Sequence, residues 1–153
     1  MKKDYDYIIC GGGASGLLLS NALISDRFFD DKKVLIIEKE AKVDNDKTFS
    51  FWDNQSNILD RIVFKSWEKA EFKDSEFSSS FNLSPYKYKM VRSDRFYSYM
   101  RKKIDRASNF TYLNATVKGI DKDSNHNNVK TDHGDFLCTD DKDYIINKFI
   151  PHT

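Results

Sequence analysis

The chain has 153 residues, enough for one domain with a moderate core. Its 25 basic and 24 acidic residues nearly cancel, so no global field recruits nucleic acid or an anionic membrane surface. Charged residues make up 32% of the chain, no apolar run approaches the ~20 residues that span a bilayer, and Met1 to Asp4 lacks the apolar core of a signal peptide, so the expected location is the cytoplasm.

Tyr7-Ile8-Ile9-Cys10 is a short, nearly continuous apolar run of the kind expected of a parallel strand buried on both faces. Gly11-Gly12-Gly13-Ala14-Ser15-Gly16 follows and fits G-x-G-x-x-G. In that pattern Gly11 makes the tight turn, Gly13 lets the backbone approach a pyrophosphate, and Gly16 lets the next helix lie close to the strand. The helix, expected from about Ala14 to Ser25, offers free N–H groups and the positive end of its dipole to phosphate. Leu17, Leu18, Ala22 and Leu23 are expected on its buried face. Val34-Leu35-Ile36-Ile37 reads as a second buried strand, with Glu38 at its carboxyl end to accept hydrogen bonds from ribose hydroxyls. An acid there disfavours a 2′-phosphate, so the expected ligand is the adenosine half of FAD or NAD.

From Glu40 to Asn57 the pattern is neither helical nor alternating, and Asp46-Lys47-Thr48-Phe49-Ser50-Phe51-Trp52-Asp53 reads as an aromatic, charged loop. Either its rings cover one end of a sheet or the loop lies over the cofactor. Asp44 and Asp46 have no glycine where a calcium loop needs its turn. Ile62 to Phe64, Trp67, Ala70 and Phe72 suggest one or two strands, and Asp74 to Leu83 a serine-rich turn. Tyr86-Lys87-Tyr88-Lys89-Met90-Val91 alternates, which predicts an aromatic and apolar face with the lysines in water. A basic-aromatic platform for nucleic acid lacks the basic excess it needs.

Ser93 suits an N-cap and Asp94 a first turn, for a helix to about Ala107 with Phe96, Met100 and Ile104 on one face. Phe110 to Asn114 and Ala115 to Ile120 read as extended, and Asp121 to Asn128 as a polar turn. Val129 to Thr131 and Phe136 to Cys138 form a hairpin through His133-Gly134. Tyr144 to Ile150 is a last strand. Cys10 and Cys138 are too few for a disulfide scaffold and fall in strands, where a small buried hydrophobe is expected. His126, His133 and His152 have no metal-ligand spacing, so no metal is expected.

This order of parts resembles the amino-terminal portion of the bacterial lycopene β-cyclases. The resemblance is carried by the fingerprint with Glu38, the segment Asp46 to Trp52, Trp67 and Phe72, Tyr88 to Phe96, and Ala115-Thr116-Val117. The family has an N-D/H-x-T-W-x-F-W-like segment after the ribose acid; here Lys47 stands where arginine or histidine is common and Phe49 where tryptophan is usual. Asn147-Lys148-Phe149-Ile150 departs from the family's D-x-R-like turn.

The resemblance implies a truncated α/β fold, a Rossmann-like FAD-binding domain of glutathione-reductase type with three layers, a parallel sheet and a β-meander. Residues 1–153 would be its amino-terminal part, with substrate-side strands inserted at about 59–92. It implies cofactor contacts from Gly11, Gly12, Gly13, Ala14, Gly16, Glu38 and Lys39, with Val117 meeting adenine through its backbone and Thr48 and Arg92 along the cofactor path. It further implies closure of the ψ-ends of lycopene to β-rings with no net redox change, using reduced FAD kept reduced by NAD(P)H. The substrate would come from the membrane, with peripheral contact at its inner face. The family's acidic catalytic residue lies beyond Thr153, so no catalytic residue is assigned. Another flavin-dependent monooxygenase, halogenase or isoprenoid reductase, or a non-catalytic dinucleotide-binding fragment, is the alternative.

Overall fold

A computed structural model describes residues 3–122, 127–138 and 145–147. In chain order the elements are β1 (Lys3–Tyr5), β2 (Tyr7–Cys10), α1 (Ala14–Ile24), β3 (Val34–Glu38), β4 (Thr48–Asp53), β5 (Val63–Trp67), β6 (Lys69–Lys73), β7 (Ser78–Asn82), β8 (Lys87–Arg92), α2 (Ser93–Ile104), β9 (Phe110–Asn114), β10 (Val117–Lys122), β11 (Asn127–Thr131), β12 (Gly134–Cys138) and β13 (Ile145–Asn147). They divide into two compact units: Met1–Ala41 with Met100–Thr153, and Lys42–Tyr99.

The first unit is built on a parallel sheet in the order β13-β2-β3-β9. β2 and β3 are buried along their whole length, as their unbroken apolar runs require. Ile8, Cys10, Leu35 and Ile37 pack on one side against Val129, Phe136 and Cys138. The latter come from a second sheet, β1-β12-β11-β10, whose last three strands form an antiparallel meander. The helices lie against the other side, where Gly16 of α1 meets Ile9. Lys103 of α2 donates to Asn21 Oδ1 of α1 at 2.7 Å.

The face of α1 differs from the expectation. Gly16, Leu17, Ser20 and Asn21 are its buried residues, whereas Leu18 is exposed at 38% and Ala22 is exposed. The cause is close approach: a methyl group on Gly16 would stand 2.0 Å from the Gly11 carbonyl oxygen. A helix held that near the sheet turns small side chains inward, and Ser20 is accommodated by donating to the Gly16 carbonyl at 2.7 Å.

The second unit holds a three-stranded antiparallel sheet, β4-β8-β5, and a two-stranded ribbon, β6-β7. The aromatic segment expected as a loop is therefore a strand, β4. Its burial alternates, because Phe49 turns inward against Phe96 and Tyr97 while Trp52 faces out beside Tyr88. The serine-rich stretch is also a strand: β7 pairs with β6 from Lys69↔Asn82 to Lys73↔Ser78, and only Asp74 to Phe77 turns. Cross-strand pairing overrides the weak strand preference of serine.

Helix α2 begins at Ser93 and ends at Ile104, three residues short of the expectation. Phe96, Met100 and Ile104 are buried as their spacing predicts. The Ser93 hydroxyl is engaged by the preceding segment, accepting from the Lys47 N–H and donating to the Asp44 carbonyl. Cys10 and Cys138 are free and buried, and the β11-β12 hairpin forms as expected. Beyond β13, the expected strand to Ile150 lies outside the described residues, as do His126 and His152.

Candidate functional site

The glycine turn leaves the carboxyl end of β2 at the centre of the parallel sheet. Gly11 has φ of 113°, a region that side chains avoid, and its N–H donates to the Ile37 carbonyl at 2.8 Å. The chain thus reverses tightly while still bonded to the neighbouring strand. Gly13 caps α1 with an extended backbone, Ala14 is the first helical residue, and the Gly13 carbonyl accepts the Leu17 N–H at 3.0 Å. No side chain caps this end, so the first-turn N–H groups remain for a ligand to meet.

Glu38 ends β3 beside this turn and is only 8% exposed. Its Oε2 accepts the Gly12 N–H at 2.8 Å, and its Oε1 accepts the Glu40 N–H at 3.0 Å. Its own carbonyl accepts the Ala115 N–H, which ties the acid to the start of the meander.

The resemblance gives Gly12 a cofactor contact, and the space around it is closed. A methyl group there would lie 2.6 Å from the Tyr112 hydroxyl and 2.9 Å from Glu38 Cβ. Tyr112 comes from β9, directly opposite Ile36 in the parallel pairing, and the Arg101 guanidinium lies 3.5 Å from its ring centroid. Both were missed. The available signal was topological, since alternate residues of the third parallel strand share the face that carries Glu38.

The remaining expected contacts are distributed otherwise. Lys39 is exposed and stands 3.8 Å from Glu40. Val117 opens β10 with its side chain packed against the meander core, next to a register shift before Gly119. Thr48 and Arg92 belong to the second unit, where they are cross-strand partners. Arg92 reaches Asp94 at 3.3 Å and lies over Phe64, while its Nε is shielded with no hydrogen-bond partner among the described residues.

The second unit also contains a cavity of about 390 Å³, lined by Asp53, Asp60, Val63, Ser66, Lys87 and Lys89 among others. Lys89 was expected in water but is only 9% exposed. Its Nζ donates to Asp53 at 2.9 Å and to Asp60 at 2.6 Å. These bonds raise the lysine's pKa, Asp60's bond first. Asp60 is held below the usual carboxyl range chiefly by Lys89, and Asp53 by the Gln55 N–H and then Lys89. Every charge in the group has its partner, so it reads as a structural tie between β4, β8 and the turn at Ile58–Ile62. Among the described residues no cluster of His, Cys, Asp or Glu could hold a metal ion.

Comparison with known proteins agrees with this geometry. The crystal structure of p-nitrophenol 4-monooxygenase PnpA from Pseudomonas putida superposes with a TM-score of 0.70 at 16% identity, covering 90% of this chain and 40% of that one. That of pqsL from Pseudomonas aeruginosa, described as a probable FAD-dependent monooxygenase, gives 0.70 at 14% identity, covering 88% and 40%. These likenesses show the fold alone, a Rossmann-like α/β domain. An oxygen-dependent choline dehydrogenase of Staphylococcus aureus is 36% identical over 67 residues, 44% of this chain and 10% of that protein. The chain thus spans less than half the length of these proteins. The model of one family, lycopene cyclase protein, matches residues 6–139, through the glycine turn, the whole second unit and the meander. The chain belongs to the lycopene cyclase family.

Proposed function

We propose that this chain is the amino-terminal part of a lycopene β-cyclase, with an FAD-binding domain of glutathione-reductase type. The observation that carries the reading is the reach of the family match, which continues through residues 42–99. A likeness limited to a generic dinucleotide turn would have no reason to include β4 to β8. The pairing of a parallel sheet with an antiparallel meander supports the glutathione-reductase label.

The residues fit FAD. Gly11, Gly13, Ala14 and Gly16 hold an open helix start for the pyrophosphate, and the Glu38 carboxylate beside the turn takes the adenosine ribose. Gly12 keeps the turn against the acid, Lys39 adds a cation at the rim, and the Val117 backbone meets adenine. Thr48 and Arg92 are further cofactor contacts in this reading, the Arg92 Nε, without a hydrogen-bond partner among the described residues, being a donor for an anion. Bound FAD in its reduced form, replenished by NAD(P)H, would supply negative charge beside a developing carbocation. The second unit is the substrate side, and lycopene reaches it from a membrane to which the complete protein attaches peripherally from the cytoplasm. Ring closure needs protonation of a terminal double bond, attack of the chain on the cation and loss of a proton, so substrate and product are isomers. No residue of this chain is assigned as that acid.

Expression of the complete reading frame in a lycopene-accumulating host tests the reading. β-Carotene or γ-carotene is the expected product. A flavin-binding protein that leaves lycopene unchanged overturns the cyclase assignment and favours a monooxygenase or halogenase instead. Titration of FAD into residues 1–153 tests the cofactor separately, through flavin fluorescence quenching and a rise in melting temperature.

A further inference from the structure

We infer that Tyr112, held by Arg101, is a positioning residue for the adenine-nucleotide site, locking the glycine turn onto the ribose acid. The inference rests on the dinucleotide reading of that site. The phenol oxygen of Tyr112 and the stem of Glu38 together fill the space that a side chain at position 12 would enter. Gly12 is thus packed against both, while its N–H is fixed to Glu38 Oε2 at 2.8 Å. A ligand that takes phosphate from the turn and ribose from Glu38 needs those two groups at one fixed separation. Tyr112 is the side chain that prevents the turn from lifting away.

Arg101 holds Tyr112 in turn. Its guanidinium lies 3.5 Å from the ring centroid, well inside the ~6 Å range of a cation on an aromatic face. The planar group covers the ring as an ammonium could not. Arg101 is also placed i,i+4 from Asp105, at 3.8 Å, which steadies its direction along α2. The chain of support therefore runs from Arg101 of α2 through Tyr112 of β9 to Gly12 and Glu38, and none of its first two members belongs to the glycine motif.

Two measurements on residues 1–153 test this. In the nucleotide-free protein, Tyr112→Phe is expected to speed amide hydrogen exchange at Gly12 at least several-fold while the β2 and β3 amides stay protected. In the nucleotide-bound protein, Tyr112→Phe weakens FAD and ADP alike by roughly three- to tenfold, since both present the same phosphates and ribose. Arg101→Gln and Arg101→Lys both move in that direction by a smaller factor, because lysine keeps the charge but not the stack. Gly12→Ala loses FAD by more than tenfold, and Tyr112→Phe added to it restores at least threefold of that loss, as expected when two groups compete for one space. Unchanged Gly12 exchange in Tyr112→Phe overturns the proposal whether or not the wild type binds nucleotide. So does an additive double variant, or full function of Arg101→Lys beside a weak Arg101→Gln. Failure of the wild type to bind FAD or ADP, with the exchange effect present, instead removes the dinucleotide reading and leaves the brace in place.

Discussion

At the scale of single residues, the sharpest constraint is at Gly16, where a methyl group would fall 2.0 Å from a backbone oxygen. Backbone cannot swing aside as a side-chain tip can. Gly16→Ala should therefore destabilise the first unit by about 2–3 kcal/mol, the upper end of overpacking costs, read as a lower urea midpoint at unchanged slope. Cys10 makes a second prediction. Burial, with the Cys138 sulfur nearby, pushes its thiol up to about 11, so the reactive thiolate is scarce at neutral pH. Ellman's reagent should titrate neither cysteine in the native protein at pH 8, and both only upon unfolding; rapid native labelling would contradict the packing. The shape of the glycine turn was legible, because Gly11 bends the backbone and Gly16 lets the helix approach, both matters of backbone geometry. Tyr112 and Arg101 were not, since their meeting depends on which strand lies beside β3 in the sheet.

At the scale of elements, legibility followed the strength of the local pattern. β2 and β3 were evident from unbroken apolar runs, and α2 from Phe96, Met100 and Ile104. β4 was missed although Phe49 and Phe51 alternate with polar neighbours, because Trp52 next to Phe51 breaks the period. The polar strand β7 could not be recognised alone, as its partner β6 supplies the reason for it. Lys89 shows the same limit, since its burial follows from Asp53 and Asp60 arriving from separate turns. That group has a defined pH signature. The two carboxyl groups titrate below their usual range, so their contribution is complete above pH ~4 and is lost as acid reaches their lowered values. Lys89 titrates above its usual range, so its contribution is complete below pH ~10 and is lost as base reaches the raised value. Melting temperature against pH should show a plateau between these limits. Lys89→Met should lower the plateau and flatten both flanks; unchanged flanks would show that other groups set them.

At the scale of the whole chain, two units are threaded as one interrupted by the other, with Lys42 to Tyr99 inserted between β3 and the end of α2. The limits of the second unit were not readable in the sequence, because β4 looked like a loop and hid its first strand. The arrangement predicts a localised response to nucleotide. ADP carries phosphates and ribose without flavin, so it should slow hydrogen exchange in β2, β3, β9 and the start of α1. The β6-β7 ribbon should remain unaffected, and protection centred there would move the site out of the first unit.

The β6-β7 ribbon has a practical consequence. Ala70, Phe72 and Phe81 share one side of it, Phe77 sits 6.2 Å from Phe72, and Phe72, Phe77 and Phe81 are all about half exposed. Lys69, Glu71, Lys73, Ser78 and Ser80 occupy the reverse. An oily strip of this size attracts apolar fluorophores to correctly folded molecules. Dye-based melting curves of this chain should thus begin bright and lose contrast, whereas tryptophan emission or circular dichroism will follow the same transition cleanly.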